Sequence, residues 1–279
     1  MGNIDANPQI LVGQTIGRYK VEDFIGSGAF SNVYRAREEV LERVVALKLF
    51  KPQLLKEKPG ILLREARTMA KLDSSYIVRV YDASTADKHS FIAMEYMENG
   101  SLESHLSGKR ADIATTLKVA AFSLKALDFI HGKGIIHRDL NPRNILIGKD
   151  MAIKITDFGM VKILESTTII SPGHIAGTFG FISPEQIRGE PIDQRTDLYS
   201  LGAILYWMLS GQKPFNGSNI MDYLPQIKGE PPPPLGSLRP GLPPFLTDFV
   251  AKLLEPCREN RHSSAREALK DLKKRIPRS

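Results

Sequence analysis

One polar segment constrains this chain more than any other feature of its sequence. Residues 137–144 read HRDLNPRN and lie between two apolar runs, residues 134–136 and 145–147. Charged and amide side chains are therefore held against a hydrophobic core, where a buried polar group needs a partner or a function. The pattern predicts a loop that carries chemistry at the edge of a core.

Three oxygen-bearing side chains belong to this pattern. Asp139 and Asn144 lie within the segment, and Asp157 begins a DFG sequence soon after it. Carboxylate and amide oxygens are ligands that Mg²⁺ takes beside phosphate groups, and a carboxylate can also act as a base. An isolated DFG carries little information, and the order and spacing of the three residues give it weight.

Two earlier features point to phosphate binding. Gly26 and Gly28, on either side of Ser27, would let a hairpin tip approach phosphates and present backbone N–H groups to them. Lys48 ends the sequence VALK on a predicted strand, and Glu65 on the next predicted helix could pair with its charge. Each feature alone also has an ordinary explanation, a plain glycine hairpin or a surface lysine on an edge strand.

The hydrophobic pattern predicts an α+β fold of two lobes. Short β-branched or aromatic runs predict strands at 19–25, 32–37, 44–50, 77–83 and 90–96. Apolar stripes at helical spacing predict helices at 61–72, 117–130, 198–209, 246–254 and 265–272. We therefore expect the protein to have a small antiparallel five-stranded sheet with one helix in residues 1–97, and a larger, mainly helical lobe in residues 98–279.

Composition narrows the classes of function. The 279 residues are 25% charged, carry a net charge of +7 and include one cysteine, Cys257. A single cysteine excludes an internal disulfide and fits a reducing cytosol, and no apolar run approaches the roughly 20 residues of a membrane helix. Basic charge could suit nucleic acid or an anionic membrane, but aromatic residues do not interleave with it. We expect a solvated basic surface, a cytoplasmic location, no nucleic-acid partner and no membrane segment.

Together these segments resemble the signature set of eukaryotic-type (Hanks-type) protein kinases, over residues 19–272, and most closely the bacterial serine/threonine kinases. The sequence SPE at 183–185 is similar to the family's Ala-Pro-Glu. Arg261 lies where the family has an arginine that pairs with that glutamate, and Asp197 where an aspartate anchors the catalytic loop. The resemblance implies a non-specific serine/threonine protein kinase that uses ATP and acts on protein substrates.

The resemblance also implies a role for each matching residue. Asp139 would accept the proton of the substrate hydroxyl, while Asn144 and Asp157 would hold Mg²⁺, with Mn²⁺ as a substitute. Thr178 would bond the catalytic aspartate, as serine/threonine kinases require, and Lys48 would contact the α- and β-phosphates. The implied nucleotide-binding residues are Ile25, Gly26, Ser27, Gly28, Val33, Ala46, Lys48, Glu65, Met94, Glu95, Met97 and Leu146.

Two positions depart from the family pattern. Serine/threonine kinases usually have lysine two residues after the catalytic aspartate, where this chain has Asn141, and the loss should cost transition-state stabilisation. We hypothesise that Arg143 reaches the same space and partly replaces the lysine, the alternative being a surface arginine. Ser31 replaces the third glycine of the phosphate loop, and we expect it to make the turn at some strain.

These departures leave two alternatives open. A pseudokinase or scaffold module with weak turnover would explain Asn141 and Ser31, but a scaffold has no need of intact Lys48 and Asp139. Tyrosine specificity is suggested by Arg143, whereas the sequence around 178–185 argues against it.

Arg138 directly precedes the catalytic aspartate, which in the family often marks control by a phosphorylated activation segment. The segment 157–185 is polar, and we predict autophosphorylation at Thr167, Thr168 or Ser171, with self-association of two copies allowing it to occur in trans. The alternative is that these hydroxyls are only solvated.

Overall fold

The computed structural model describes residues 8–28, 31–52, 66, 69, 72–157, 179–215 and 231–276. The chain divides into two compact units, Met1–Glu98 and Asn99–Ser279. No helix within the described ranges is both long and apolar enough to cross a membrane.

The first unit contains an antiparallel sheet of six strands in the order β1-β2-β3-β4-β6-β5. The strands are β1 Thr15–Ile16, β2 Tyr19–Ser27, β3 Ser31–Glu38, β4 Arg43–Phe50, β5 Val80–Ala86 and β6 His89–Glu95, preceded by a 3₁₀ turn at Pro8–Leu11. The α+β class is confirmed, but the prediction of five strands is wrong. The missed strand, β1, has two residues, which is too short to show an alternating pattern.

Residues 61–83 differ from the prediction at one strand boundary. The predicted strand at 77–83 begins later, at Val80, because the N–H of Ile77 bonds back to the carbonyl of Ser74 in a turn. Of the predicted helix at 61–72, most lies outside the described residues, although Ala66 and Met69 are helical and buried.

The second unit is mainly helical, as expected. Its helices are α1 Leu102–Leu106, α2 Ile113–His131, α3 Pro184–Ile187, α4 Arg195–Ser210, α5 Leu235–Leu238, α6 Pro244–Leu253 and α7 Ala265–Arg275. A two-stranded sheet pairs β7 Ile145–Ile147 with β8 Ile153–Ile155, and 3₁₀ turns lie at Lys149–Met151, Phe179–Phe181 and Arg258–Asn260. The longer helices were expected, whereas the elements of three to five residues are too short for a periodic signal.

Helix α4 is the centre of this unit and is buried along almost its whole length. At Gly202 a Cβ atom would lie 2.7 Å from the Cβ of Leu253 on α6, so only glycine lets the two helices approach this closely. Helix α4 ends at Ser210 and is followed by Gly211, whose positive φ of 77° forms a left-handed cap. Its first turn carries Asp197 toward residues 137–144, called the catalytic loop below.

Candidate active site

The sheet of the first unit gathers several nucleotide-binding candidates on one face. Residues directly opposite each other on neighbouring strands share a face, as do residues two apart on one strand. Val33 lies opposite Lys48, and Ala46 lies opposite Met94. Since Ala46 and Lys48 are two apart on β4, all four side chains lie on the same face, with Gly26 paired to Val33 at its edge.

Lys48 is buried, with 3% of its surface exposed, and its Nζ lies 5.6 Å from the centre of the Phe50 ring. A buried ammonium requires polar or charged partners. Glu65, its expected partner, lies outside the described residues, and the Lys48–Glu65 pair stays a prediction.

The glycine hairpin is described on both sides of residues 29 and 30. The Ser27 hydroxyl donates to Asn32 Oδ1 at 2.7 Å, and the N–H of Gly28 donates to the carbonyl of Ser31 at 2.8 Å. Ser31 opens β3 and pairs with Phe50, so it has the extended backbone that any residue adopts. The strain expected at Ser31 is therefore absent, and glycine is not required there.

The other candidates near the base differ in exposure. Ile25 is 47% exposed, whereas Met97 is buried. The N–H of Glu95 already donates to the carbonyl of Arg79 at 2.8 Å, so this N–H is used by the protein itself. In the second unit, Leu146 is half-buried on β7.

The hairpin β7–β8 positions the two expected metal ligands. Ile145 lies opposite Ile155, and the N–H of Thr156 donates to the carbonyl of Asn144 at 3.0 Å. Asn144 therefore precedes one strand at the same end of the hairpin where Asp157 follows the other. The pairing of only three residues on each strand thus brings Asn144 and Asp157 to the same end of the hairpin.

Two side-chain amides hold Asp139. Asn144 Nδ2 donates to the backbone carbonyl of Asp139 at 2.8 Å and to its Oδ2 at 3.2 Å. Asn141 Nδ2 donates to the same carbonyl at 3.0 Å and to Oδ1 at 3.1 Å. Both carboxylate oxygens and the backbone of the half-buried Asp139 are thus held from two positions of one loop.

Burial raises the pKa of the Asp139 carboxyl above its ordinary value. The amides of Asn141 and Asn144 act in the opposite direction, and the negative charge of Asp157 adds to the increase. A raised pKa makes this carboxylate a stronger proton acceptor than an exposed aspartate.

Asn141 has a defined structural part in this loop. Its Oδ1 accepts the N–H of Arg143 at 2.9 Å while its amide nitrogen binds Asp139, and the residue is 6% exposed. The side chain that replaces the family's lysine therefore links Asp139 to Arg143 within the loop.

Asp197 anchors the loop from helix α4, as the resemblance implied. Its carboxylate accepts the backbone N–H groups of His137 and Arg138, each at 2.9 Å. His131 Nε2, at the end of α2, lies 2.7 Å from Asp197 Oδ2. The signal for His131 was a polar residue ending an apolar helix, and sequence reasoning missed its role.

His137 is a packed residue, with no measurable exposure. Its Nε2 lies 2.9 Å from the carbonyl of Thr156, and the N–H of Asp139 donates to its Nδ1 at 3.3 Å. A neutral imidazole with its proton on Nε2 satisfies both contacts.

The end of the activation segment is held by a buried ion pair. Arg261 donates to both carboxylate oxygens of Glu185, at 2.8 and 2.9 Å, and Thr196 donates to Glu185 Oε1 at 2.8 Å. Burial alone would raise the pKa of Glu185, but the hydrogen bonds and charge of Arg261 outweigh it and the pKa ends below its ordinary value. The pairing implied by the resemblance is present.

Arg143 contacts helix α1, and its hypothesised role at the phosphoryl group stays a prediction. Its Nε lies 2.7 Å from Glu103 Oε2 on helix α1, and both side chains are well exposed. An exposed pair of this kind contributes at most about 1 kcal/mol, so the guanidinium can leave Glu103 at small cost. Thr178, Thr167, Thr168 and Ser171 lie outside the described residues.

Comparisons with known proteins bear on this geometry. The sequence profile of the protein kinase domain family matches residues 19–272. A probable serine/threonine-protein kinase of Clostridium perfringens is 37% identical over 273 residues, which cover 95% of this chain and 39% of that protein. The serine/threonine-protein kinase PknB of Mycobacterium leprae is 36% identical over 265 residues, which cover 91% of this chain and 42% of that protein. The chain thus spans about two-fifths of the length of these relatives.

Proposed function

This chain belongs to the protein kinase domain family, and from that premise we propose that it transfers the γ-phosphate of ATP to serine and threonine hydroxyls of protein substrates. One observation carries the proposal. Asp139, the residue matching the family's catalytic base, is held at its backbone and at both carboxylate oxygens by Asn141 and Asn144. A carboxylate fixed in this way is prepared to receive and orient a hydroxyl.

The chain's own residues would divide the work between positioning and proton transfer. Asp139 would accept the proton of the attacking hydroxyl and orient its oxygen in line with the γ-phosphate. Lys48 would hold the α- and β-phosphates from strand β4. The glycine hairpin around Gly26 and Gly28 would present backbone N–H groups to the phosphates and exclude water.

Asn144 and Asp157 fit a divalent cation. The amide nitrogen of Asn144 is committed to Asp139, so its Oδ1 is the atom suited to a metal, and Asp157 adds a carboxylate. These are the oxygen ligands that Mg²⁺ prefers. When bound, Mg²⁺, or Mn²⁺ in its place, would neutralise charge on the phosphate oxygens.

Two contacts in the structure speak against the pseudokinase alternative. Ser31 lies in an extended strand, and Asn141 braces Asp139, so neither departure dismantles the loop. The relatives named as serine/threonine kinases favour hydroxyls of that type over tyrosine.

Regulation and setting complete the proposal. We propose autophosphorylation at Thr167, Thr168 or Ser171, in trans between two self-associated copies, because a phosphate there could pair with Arg138. The single cysteine favours the reducing cytoplasm as the location.

Intact mass after incubation with Mg-ATP, alongside Asp139→Asn, tests the proposal. We expect added phosphates on the wild type alone, with phosphoserine or phosphothreonine after hydrolysis. Absence of phosphate on the wild type, and on an added protein acceptor such as myelin basic protein, would refute it. Phosphotyrosine alone would refute the specificity, and bare Thr167, Thr168 and Ser171 in an active sample would refute the regulation.

A further inference from the structure

Gln186, the residue after the SPE sequence, joins two parts of the second unit through one amide. Its Oε1 accepts the N–H and the hydroxyl of Ser183, at 3.2 and 3.1 Å, which forms the cap of helix α3. Its Nε2 donates to the backbone carbonyl of Arg138 at 2.8 Å. The end of the activation segment is therefore bonded directly to the catalytic loop.

The carbonyl that Gln186 holds belongs to a strained residue. Arg138 has a φ of 68°, in the left-handed region that glycine favours. Such a conformation is unfavourable for a residue with a side chain and persists only where the surroundings impose it. Asp197 holds the N–H of Arg138, and Gln186 holds its carbonyl, so the residue before Asp139 is fixed at both ends.

We propose that Gln186 is a positioning residue of the phosphotransfer site, whose amide clamps the carbonyl of Arg138 and thereby fixes the backbone that carries Asp139. The inference rests on the proposed function. It also links Asp139 to the anchored end of the activation segment, since the same amide caps helix α3. Release of that end would loosen the catalytic loop.

Gln186→Glu separates the clamp from the cap. Glutamate is an equally good capping residue, because its carboxylate can still accept the N–H of Ser183. It has no N–H to donate, and its oxygen would face the carbonyl of Arg138. The substitution thus removes the clamp and leaves the helix start intact.

Gln194→Glu is the matched control. The Gln194 amide also donates to a backbone carbonyl, that of Ser263 at 2.6 Å, and the contact is exposed. The control removes a similar hydrogen bond and adds the same charge without touching the catalytic loop.

The measurements are kcat and KM with Mg-ATP and myelin basic protein, the melting temperature, and amide hydrogen exchange over 137–144. For Gln186→Glu we expect about a tenfold loss of kcat from misplacement of Asp139, with KM for ATP unchanged and the melting temperature lower by only a few degrees. Exchange over 137–144 should be faster. Gln194→Glu should match the wild type in each measurement.

Unchanged kcat and exchange in Gln186→Glu would overturn the inference, as would an equal loss in Gln194→Glu. A wild type without phosphotransfer, in which Gln186→Glu still accelerates exchange over 137–144, would count against the proposed function and uphold the clamp.

Discussion

Asp197, on helix α4, holds the loop that carries Asp139, yet the two carboxylates have different kinds of hydrogen-bond donor. Asp197 is fully buried, and backbone N–H groups of His137 and Arg138 occupy its two oxygens. Asp139 is half-buried, and its oxygens contact the side-chain amides of Asn141 and Asn144.

The difference separates a structural carboxylate, Asp197, from the proposed catalytic carboxylate, Asp139. Because backbone N–H groups donate to Asp197, its carboxylate fixes the path of the main chain at His137 and Arg138. Removing the carboxylate would disturb that path. Each oxygen of Asp139 accepts one amide bond and can accept another. Asp139 is therefore held in place and keeps acceptor capacity for a further donor, as its proposed role requires.

The largest expected effect comes from Asp197→Ala. It would leave the N–H groups of His137 and Arg138 buried without an acceptor, at about 1–3 kcal/mol each. We expect a loss of roughly 3–5 kcal/mol in the free energy of unfolding, measured by urea denaturation. Asp73→Ala is the control, because its exposed pair with Arg79 should contribute about 1 kcal/mol or less. Equal losses in the two variants would remove the distinction.

A smaller effect is expected from acid, through Glu185. Its pKa is held below the ordinary 4.5, so the folded state favours the charged form. The resulting stability is present above the unfolded pKa and is lost as the pH falls through the folded pKa. The urea midpoint should therefore decline below about pH 4.5.

Glu185→Gln supplies the comparison for that titration. Glutamine cannot lose a charge on acidification, so the variant should be less stable at neutral pH and should show a shallower decline in acid. An identical slope in the wild type and Glu185→Gln would show that other carboxylates govern the acid transition.

The next effect is that of Asn141→Ala, which tests how Asp139 is held. It would free Asp139 Oδ1 and the N–H of Arg143, and we expect kcat to fall about tenfold with little change in KM for ATP. Asn141→Ser, which keeps a short hydrogen-bonding side chain, should restore part of kcat. Unchanged kcat in Asn141→Ala would mean that Asn144 alone holds Asp139.

The sequence was sufficient for the residues whose positions follow from short-range pattern. The apolar runs beside residues 137–144 predict the loop, and the period of two along β4 places Ala46 and Lys48 on one face. The long helices follow from apolar stripes. Strand β1, with two residues, offered no period to detect.

Contacts between distant parts of the chain could not be predicted in this way. Gln186 bonds to a backbone carbonyl 48 residues earlier. Every residue has such a carbonyl, so the sequence cannot indicate which one accepts the bond. The bond between Arg143 and Glu103, 40 residues apart, depends in the same way on how α1 packs beside the loop. The sequence shows only a lost charge at Asn141, because its bonds to Asp139 form only once the loop is folded.

The smallest expected effects are those of Arg143 and Glu103, whose pair is exposed. Each single alanine variant should change the free energy of unfolding by no more than about 1 kcal/mol. If Arg143 serves the phosphoryl group, Arg143→Ala lowers kcat, while Glu103→Ala releases the guanidinium and raises kcat by at most about fivefold. Glu103→Ala should have no effect once Arg143 is alanine, because its action passes through that side chain. Unchanged kcat in Arg143→Ala would show that Arg143 is a surface arginine and that phosphotransfer does not use its positive charge.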